Sequence, residues 1–173
     1  MNRHFYINRT FDDFAAFEDS MRLWNVQMNQ LHCGKSTYNV KQLSLEKVKL
    51  NHLVLNGHKT TSGDPPRGQT FAFWSGENSE LIWRKKRIPQ NNVMIYPNGG
   101  EHDVMTKGEN IHVHTITFPE TVWISSLSDR EADTYRRNLL SQELVRISGR
   151  DMLRLKQIFQ SSFNTKNFLF PAF

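Results

Sequence analysis

The spacing of apolar residues changes character twice along this chain. Phe14, Phe17, Met21 and Trp24 recur at intervals of three, four and three, which puts them on one helical face. Thr10-Phe11-Asp12-Asp13 before them offers a hydroxyl cap and two acids for the positive end of a helix. The pattern predicts a helix from about 11 to 23. From Val26 to Phe118 the period shortens to two. Val26 to Leu31 alternates and stops at Cys33-Gly34. Thr37 to Leu45 alternates with Tyr38, Val40 and Gln42 opposite Asn39, Lys41 and Leu43. Val48, Leu50, His52 and Val54 share a strand face that ends at the turn Asn56-Gly57. Gly63 to Gly68 has loop composition, Phe71 to Trp74 reads as a buried strand, and Leu81, Trp83, Val93, Ile95 and Ile111 to Phe118 mark further strands. After Pro119 the helical period returns. Ser128-Asp129-Arg130-Glu131 is a capping box. A second helix opens at Ser148-Gly149 and carries Met152, Leu155, Phe159 and Phe163 as one stripe, widened by Ile158.

About seven to nine short strands at regular spacing imply a sandwich or barrel. The expected fold is therefore mainly β: a jelly-roll barrel over about 26–118, with one helix before it and two after it, over about 128–163. The 173 residues fit one such domain, and 38% hydrophobic residues suffice for its core. Lys plus Arg outnumber Asp plus Glu by 22 to 17, a mild excess shared by many soluble proteins. Cys33 is the only cysteine, which rules out an internal disulfide and a thiolate zinc site. No stretch approaches the roughly 20 apolar residues of a membrane helix, and the N-terminus lacks a signal-peptide pattern. A cytoplasmic protein without membrane contact is the expectation.

Candidate chemistry is sparse. Pro97-Asn98-Gly99-Gly100-Glu101-His102 matches the P-x-G-x-x-H pattern of the second cupin motif, and His112-Val113-His114 follows on one strand face. His102, His112 and His114 would be the ligands of a cupin-type metal enzyme, a dioxygenase or isomerase. The H-x-H pair and glutamate that cupin metal sites place before that motif are missing upstream of Pro97, so neither metal nor cofactor is expected. Arg84-Lys85-Lys86-Arg87 reads as a solvated hairpin turn rather than a phosphate site. No nucleophile elbow, Walker loop, H-E-x-x-H or dinucleotide fingerprint occurs. No enzyme activity is expected. A ligand cavity, if the barrel has one, would be lined by Trp74, Trp83 and one or more of His52, His102 and His114, mixing apolar walls with polar anchors.

Phe11-Asp12-Asp13-Phe14, Trp24, Gln30-Leu31, Gly34, Tyr38, Leu43, Leu45, Val48, Leu50, Phe71-Ala72-Phe73 and the strand from Ile111 to Phe118 followed by Pro119-Glu120 resemble the N-terminal region of AraC-family regulators, especially the ethanolamine-regulator branch. The resemblance covers about residues 10 to 163. It implies a cupin-like barrel that senses a small-molecule effector, helices that pair two subunits, and a separate helix-turn-helix domain, absent from these 173 residues, through which DNA is read. It further implies a homodimer whose interface includes Leu139, Met152, Leu155, Ile158 and Phe159, the apolar positions of the two C-terminal helices.

Overall fold

The computed structural model describes residues 4–21, 23–96, 101–119, 121–122, 125, 127–134 and 143–164. The elements run β1 (Phe5–Phe11), α1 (Phe14–Ser20), β2 (Asn25–Gln30), β3 (Tyr38–Ser44), β4 (Lys49–Leu55), β5 (Lys59–Asp64), β6 (Gln69–Ser75), β7 (Glu80–Trp83), β8 (Lys86–Arg87), β9 (Asn92–Tyr96), β10 (His102–Lys107), β11 (Ile111–Phe118), α2 (Asp129–Thr134), β12 (Leu144–Arg146) and α3 (Gly149–Asn164). The strands form two antiparallel sheets. The larger has the order β1-β3-β4-β11-β6-β9-β12 and the smaller the order β2-β5-β10-β7-β8. The mainly β, jelly-roll-like class read from the sequence holds. The sheets face each other but are not joined by hydrogen bonding into a closed barrel.

Between the sheets lies the main core. Tyr38, Val40, Leu53, Leu55, Ala72, Trp74, Met94, Tyr96 and Ile111 come from the larger sheet, and Met28, Leu81, Trp83 and Val104 from the smaller. A second apolar cluster lies on the other side of the larger sheet. There Leu43, Leu50, Phe73 and Val93 meet Met152, Phe159 and Phe163 of α3. Helix α3 thus covers the outer face of the sheet. Its start is held by Ser148, whose hydroxyl accepts from Asp151 N at 3.1 Å.

Several local readings need correction. The N-terminal helix is shorter than 11–23: Asp13, not Thr10, is its cap and accepts from Ala16 N at 2.9 Å. The residues before it form β1, paired antiparallel with β3 from Phe5↔Ser44 to Phe11↔Tyr38. The helical stripe nevertheless marks core: Phe17, Met21 and Trp24 are all buried, although Trp24 follows the helix. Gly63 and Asp64 end β5 rather than open a loop. The basic run is the hairpin it was read as, with Arg84 and Lys85 at φ 48° and 65° between β7 and β8. Two positive φ values match the type I′ turn that suits strand twist. The capping box forms as read, Ser128 N donating to Glu131 Oε2 at 2.9 Å. Pro97 to Gly100 of the cupin-like motif lie outside the described residues, as does Leu139 of the expected dimer interface.

Candidate functional site

Pleating decides where each candidate side chain goes. On β4, Leu53 and Leu55 face the main core, so His52 faces outward beside Leu50. On β11, Ile111 and Val113 face inward, so His112 and His114 face outward with Ile116. The antiparallel register sets Lys41 opposite His52, His52 opposite His114, and His114 opposite Phe73. One row across four strands therefore reads Lys-His-His-Phe. The next places His112 between Val54 and Ser75.

Helix α3 roofs these rows. A pocket of about 420 Å³ lies between them, bounded by the three histidines, Lys41 and Ser75 below and by Lys156, Phe159, Gln160 and Phe163 above. His52 Nε2 and His112 Nδ1 are 3.1 Å apart, so one proton is shared between them. The His52 and His114 rings stack at 4.4 Å, within 6° of parallel. Beyond His114 the stack continues to Phe73 at 4.7 Å, and Phe159 meets His114 edge-on at 5.3 Å. His114 is 6% exposed, and its Nδ1 has no hydrogen-bond partner among the described residues.

These imidazoles are held neutral. Burial lowers His52 to about 4, with the neighbouring His112 and Lys41 adding to the effect. His114 is lowered to about 2, first by burial and then by His52, His112 and Lys156. His112 is lowered by burial and by the two lysines. The pocket is thus basic through Lys41 and Lys156, aromatic on its walls, and free of carboxylates among its lining residues.

The other candidates lie elsewhere. Trp74 and Trp83 are 3% and 1% exposed on the inner side of the sheets, where they serve as core. Trp74 Nε1 donates to Ile88 O at 3.0 Å, whereas Trp83 Nε1 has no acceptor among the described residues. His102 belongs with this inner group: its ring lies 5.1 Å from Trp24, and its Nδ1 is 3.0 Å from the Tyr96 hydroxyl. Burial lowers it to about 4. The larger sheet therefore separates Trp74, Trp83 and His102 from His52 and His114. The ligand set His102, His112 and His114 is likewise split between its two sides. The triad that the structure assembles is His52, His112 and His114, whose ligand atoms all lie within 4.8 Å of one another.

Sequence reasoning passed over Lys59. It is fully buried, 3.5 Å from the Ser36 hydroxyl and 4.8 Å above the Tyr38 ring, and burial lowers it to about 8. Its segment, Lys59-Thr60-Thr61-Ser62, is too polar to advertise a core position.

Of the stripe on α3, Met152 and Phe159 are consumed by packing on the chain's own sheet, together with Phe163. Leu155 is partly buried there. Ile158 and Leu153 point away, 59% and 57% exposed.

No protein-family model matches the sequence, and no curated protein matches it. Solved structures do resemble it. ToxT from Vibrio cholerae superimposes with a TM-score of 0.51 at 17% identity, over 65% of this chain and 47% of that one. A crystal structure of ToxT bound to (E)-4-(8-methylnaphthalen-1-yl)but-3-enoic acid gives 0.52 at 16%, over 67% of this chain and 48% of that one. The AraC-like transcriptional activator CuxR gives 0.50 at 11%, over 92% of this chain and 68% of that one. The chain spans about half the length of the ToxT structures. At such identities the shared property is the fold alone.

Proposed function

We propose that this chain is the ligand-sensing and dimerisation module of an AraC-type transcription regulator, without catalytic activity of its own. The observation that carries the reading is the pocket between the outer face of the larger sheet and α3. Fold likeness to CuxR over 92% of the chain supports the class. The pocket supports the mechanism, because its floor is hydrogen-bonded sheet and its roof is the helix α3. A small molecule filling about 420 Å³ touches both. It favours one seating of α3 over another by the difference in its contacts with the two. In a complete regulator that seating would set the spacing of two helix-turn-helix domains on their half-sites, reached through pairing of the helices in a homodimer. Cytoplasmic residence belongs to the same reading; no helix among the described residues is long and apolar enough to cross a membrane.

A thermal-shift screen of metabolites against the purified chain tests this. A true effector at a hundredfold over its dissociation constant contributes about 2.7 kcal/mol. For a chain of this size that raises Tm by about 5 to 10 °C. The shift should shrink in Lys156→Ala and Gln160→Ala. A library without any stabilising compound, or a compound whose effect ignores both changes, would overturn the assignment of the pocket.

A further inference from the structure

We propose that His52, His112 and His114 form a transition-metal site of the zinc(II) class on the outer face of the larger sheet, beneath α3. The proposal stands on the geometry of the triad and does not require the sensing role.

The donor set is what a borderline metal takes. Three imidazoles with an open fourth position suit zinc, and equally cobalt or nickel as probes. The spacing arises from the ladder. His112 and His114 are alternate residues of β11, and His52 is the direct cross-strand partner of His114. Strand β11 is bonded on both sides, to β4 and β6, so all three side chains spring from backbone that cannot drift. Their ligand atoms lie within 4.8 Å of one another, and two of them are already 3.1 Å apart. Tetrahedral ligation at about 2.0–2.1 Å needs donors about 3.3 Å apart, so the set must contract slightly.

The rings must also turn. The three rings lie within 15° of parallel, and a tetrahedral ion needs their lone pairs to converge on one point. The 420 Å³ pocket gives His52 and His112 room for that rotation. Two features favour it. The hydrogen bond between His52 and His112 already holds one donor atom of each ring together, and a metal ion can take the proton's place there once that proton moves to the far nitrogen of its own ring. The buried Nδ1 of His114 has no partner among the described residues, and an orphaned buried polar atom is costly until something satisfies it.

Lys41 and Lys156 determine the fourth ligand. Both ammonium groups border the pocket, and among the described lining residues no carboxylate does. They oppose a bare dication and favour an anion on it, such as hydroxide, chloride or a carboxylate. This separates the site from the cupin arrangement sought in the sequence. His102 lies on the other side of the sheet and takes no part.

The test uses the intact chain, stripped with a chelator and titrated with Zn²⁺ by calorimetry and with Co²⁺ by visible absorption. The expected result is one ion per chain, a dissociation constant of about micromolar or tighter, and the strong visible bands of tetrahedral Co²⁺. His52→Ala and His114→Ala should each weaken binding on the order of 100-fold. Because His114 is buried, His112→Gln at the half-buried rim serves as the second variant. Circular dichroism shows whether it keeps its fold. His4→Asn with Cys33→Ser, which removes exposed surface donors, should leave binding unchanged. Any of three results would overturn the site: no uptake below about millimolar metal, uptake that survives His52→Ala and His112→Gln in folded protein, or uptake lost with His4 and Cys33. Acetate binding that ignores the chelator and is lost in Lys41→Met would overturn it too, marking a plain anion pocket. Effector sensing would remain a separate question in each case.

Discussion

The two faces of the larger sheet are built from the same strands and do opposite work. Trp74, Leu53 and Val113 point inward and pack; Phe73, His52, His112 and His114 are their sequence neighbours and point outward. The inner face is closed by a second sheet and filled with large apolar rings. The outer face is closed by a single helix, and beside its apolar patch it keeps a pocket with three imidazoles and two lysines. A period of two lets one stretch of chain serve both purposes, because each change on one face leaves the other face's side chains in place. Stability belongs mainly inside, and the proposed recognition outside.

The sharpest way to break this comparison is to hollow out the inner face. Trp83→Ala removes a 1% exposed indole from the main core and should cost about 3–5 kcal/mol in urea denaturation. A loss below about 1 kcal/mol would mean that the facing sheets are not what holds the chain together.

Phe159→Ala probes the other side. The ring is 3% exposed but borders an existing pocket, so the expected cost is about 3 kcal/mol, the lower end for such a deletion. It should also bring water to His114. Since burial is the main cause of its lowered pKa, an NMR titration should find His114 titrating higher than in the parent chain. An unchanged titration would show that α3 is not the roof.

Lys59→Met tests whether the inner face tolerates charge only at a cost. In the folded chain this ammonium loses its proton at about 8, against 10.5 when unfolded. The unfolded chain therefore holds more protons between those values, and stability rises with pH across that window. The rise from Lys59 alone is about 3 kcal/mol, since each pH unit of displacement is worth about 1.4. Below pH 8 the penalty is fully present, so Lys59→Met should stabilise the chain at pH 7 by about 1–3 kcal/mol and flatten the alkaline slope. Melting curves of both proteins at pH 7 and pH 10 measure the difference. Equal slopes would refute the buried-charge account.

The smallest expected effect on stability lies on the far side of α3. Leu153→Lys and Ile158→Lys alter residues more than half exposed and should change folding by less than about 0.5 kcal/mol. If the proposed homodimer pairs through this helix, the same substitutions should convert it to monomer in sedimentation at tens of micromolar. A parent chain that is already monomeric there would remove α3 from the interface.

Much of this was legible before any coordinates. Alternation along Thr37–Leu45 and Val48–Val54 assigned the two faces of β3 and β4 correctly, because a half-covered strand must segregate its side chains. The capping box at Ser128 and the helix opening at Ser148 were legible as helix starts, since their hydrogen bonds join residues three apart. What failed was decided by partners distant in sequence. Phe5–Phe11 is a strand because β3 offers it a free edge, not because its own mixed pattern demands it. Lys59–Asp64 is a strand because β2 and β10 flank it on either side. The stripe on α3 was legible as apolar, but the identity of the surface covering Met152 and Phe159 was not.

By itself, then, the sequence determined the class of fold, the alternation of its strands and the direction in which His52, His112 and His114 each point relative to their neighbours. Those follow from backbone periodicity and from contacts a few residues long. Only the tertiary structure decided that His52 stands opposite His114 while His102 stands behind the sheet. Register between β4 and β11 is set by hydrogen bonding across about 60 residues of chain, and no local pattern carries that information. The candidate site exists because of that register, and the same sheet that assembles it keeps the tryptophans of the core away from it.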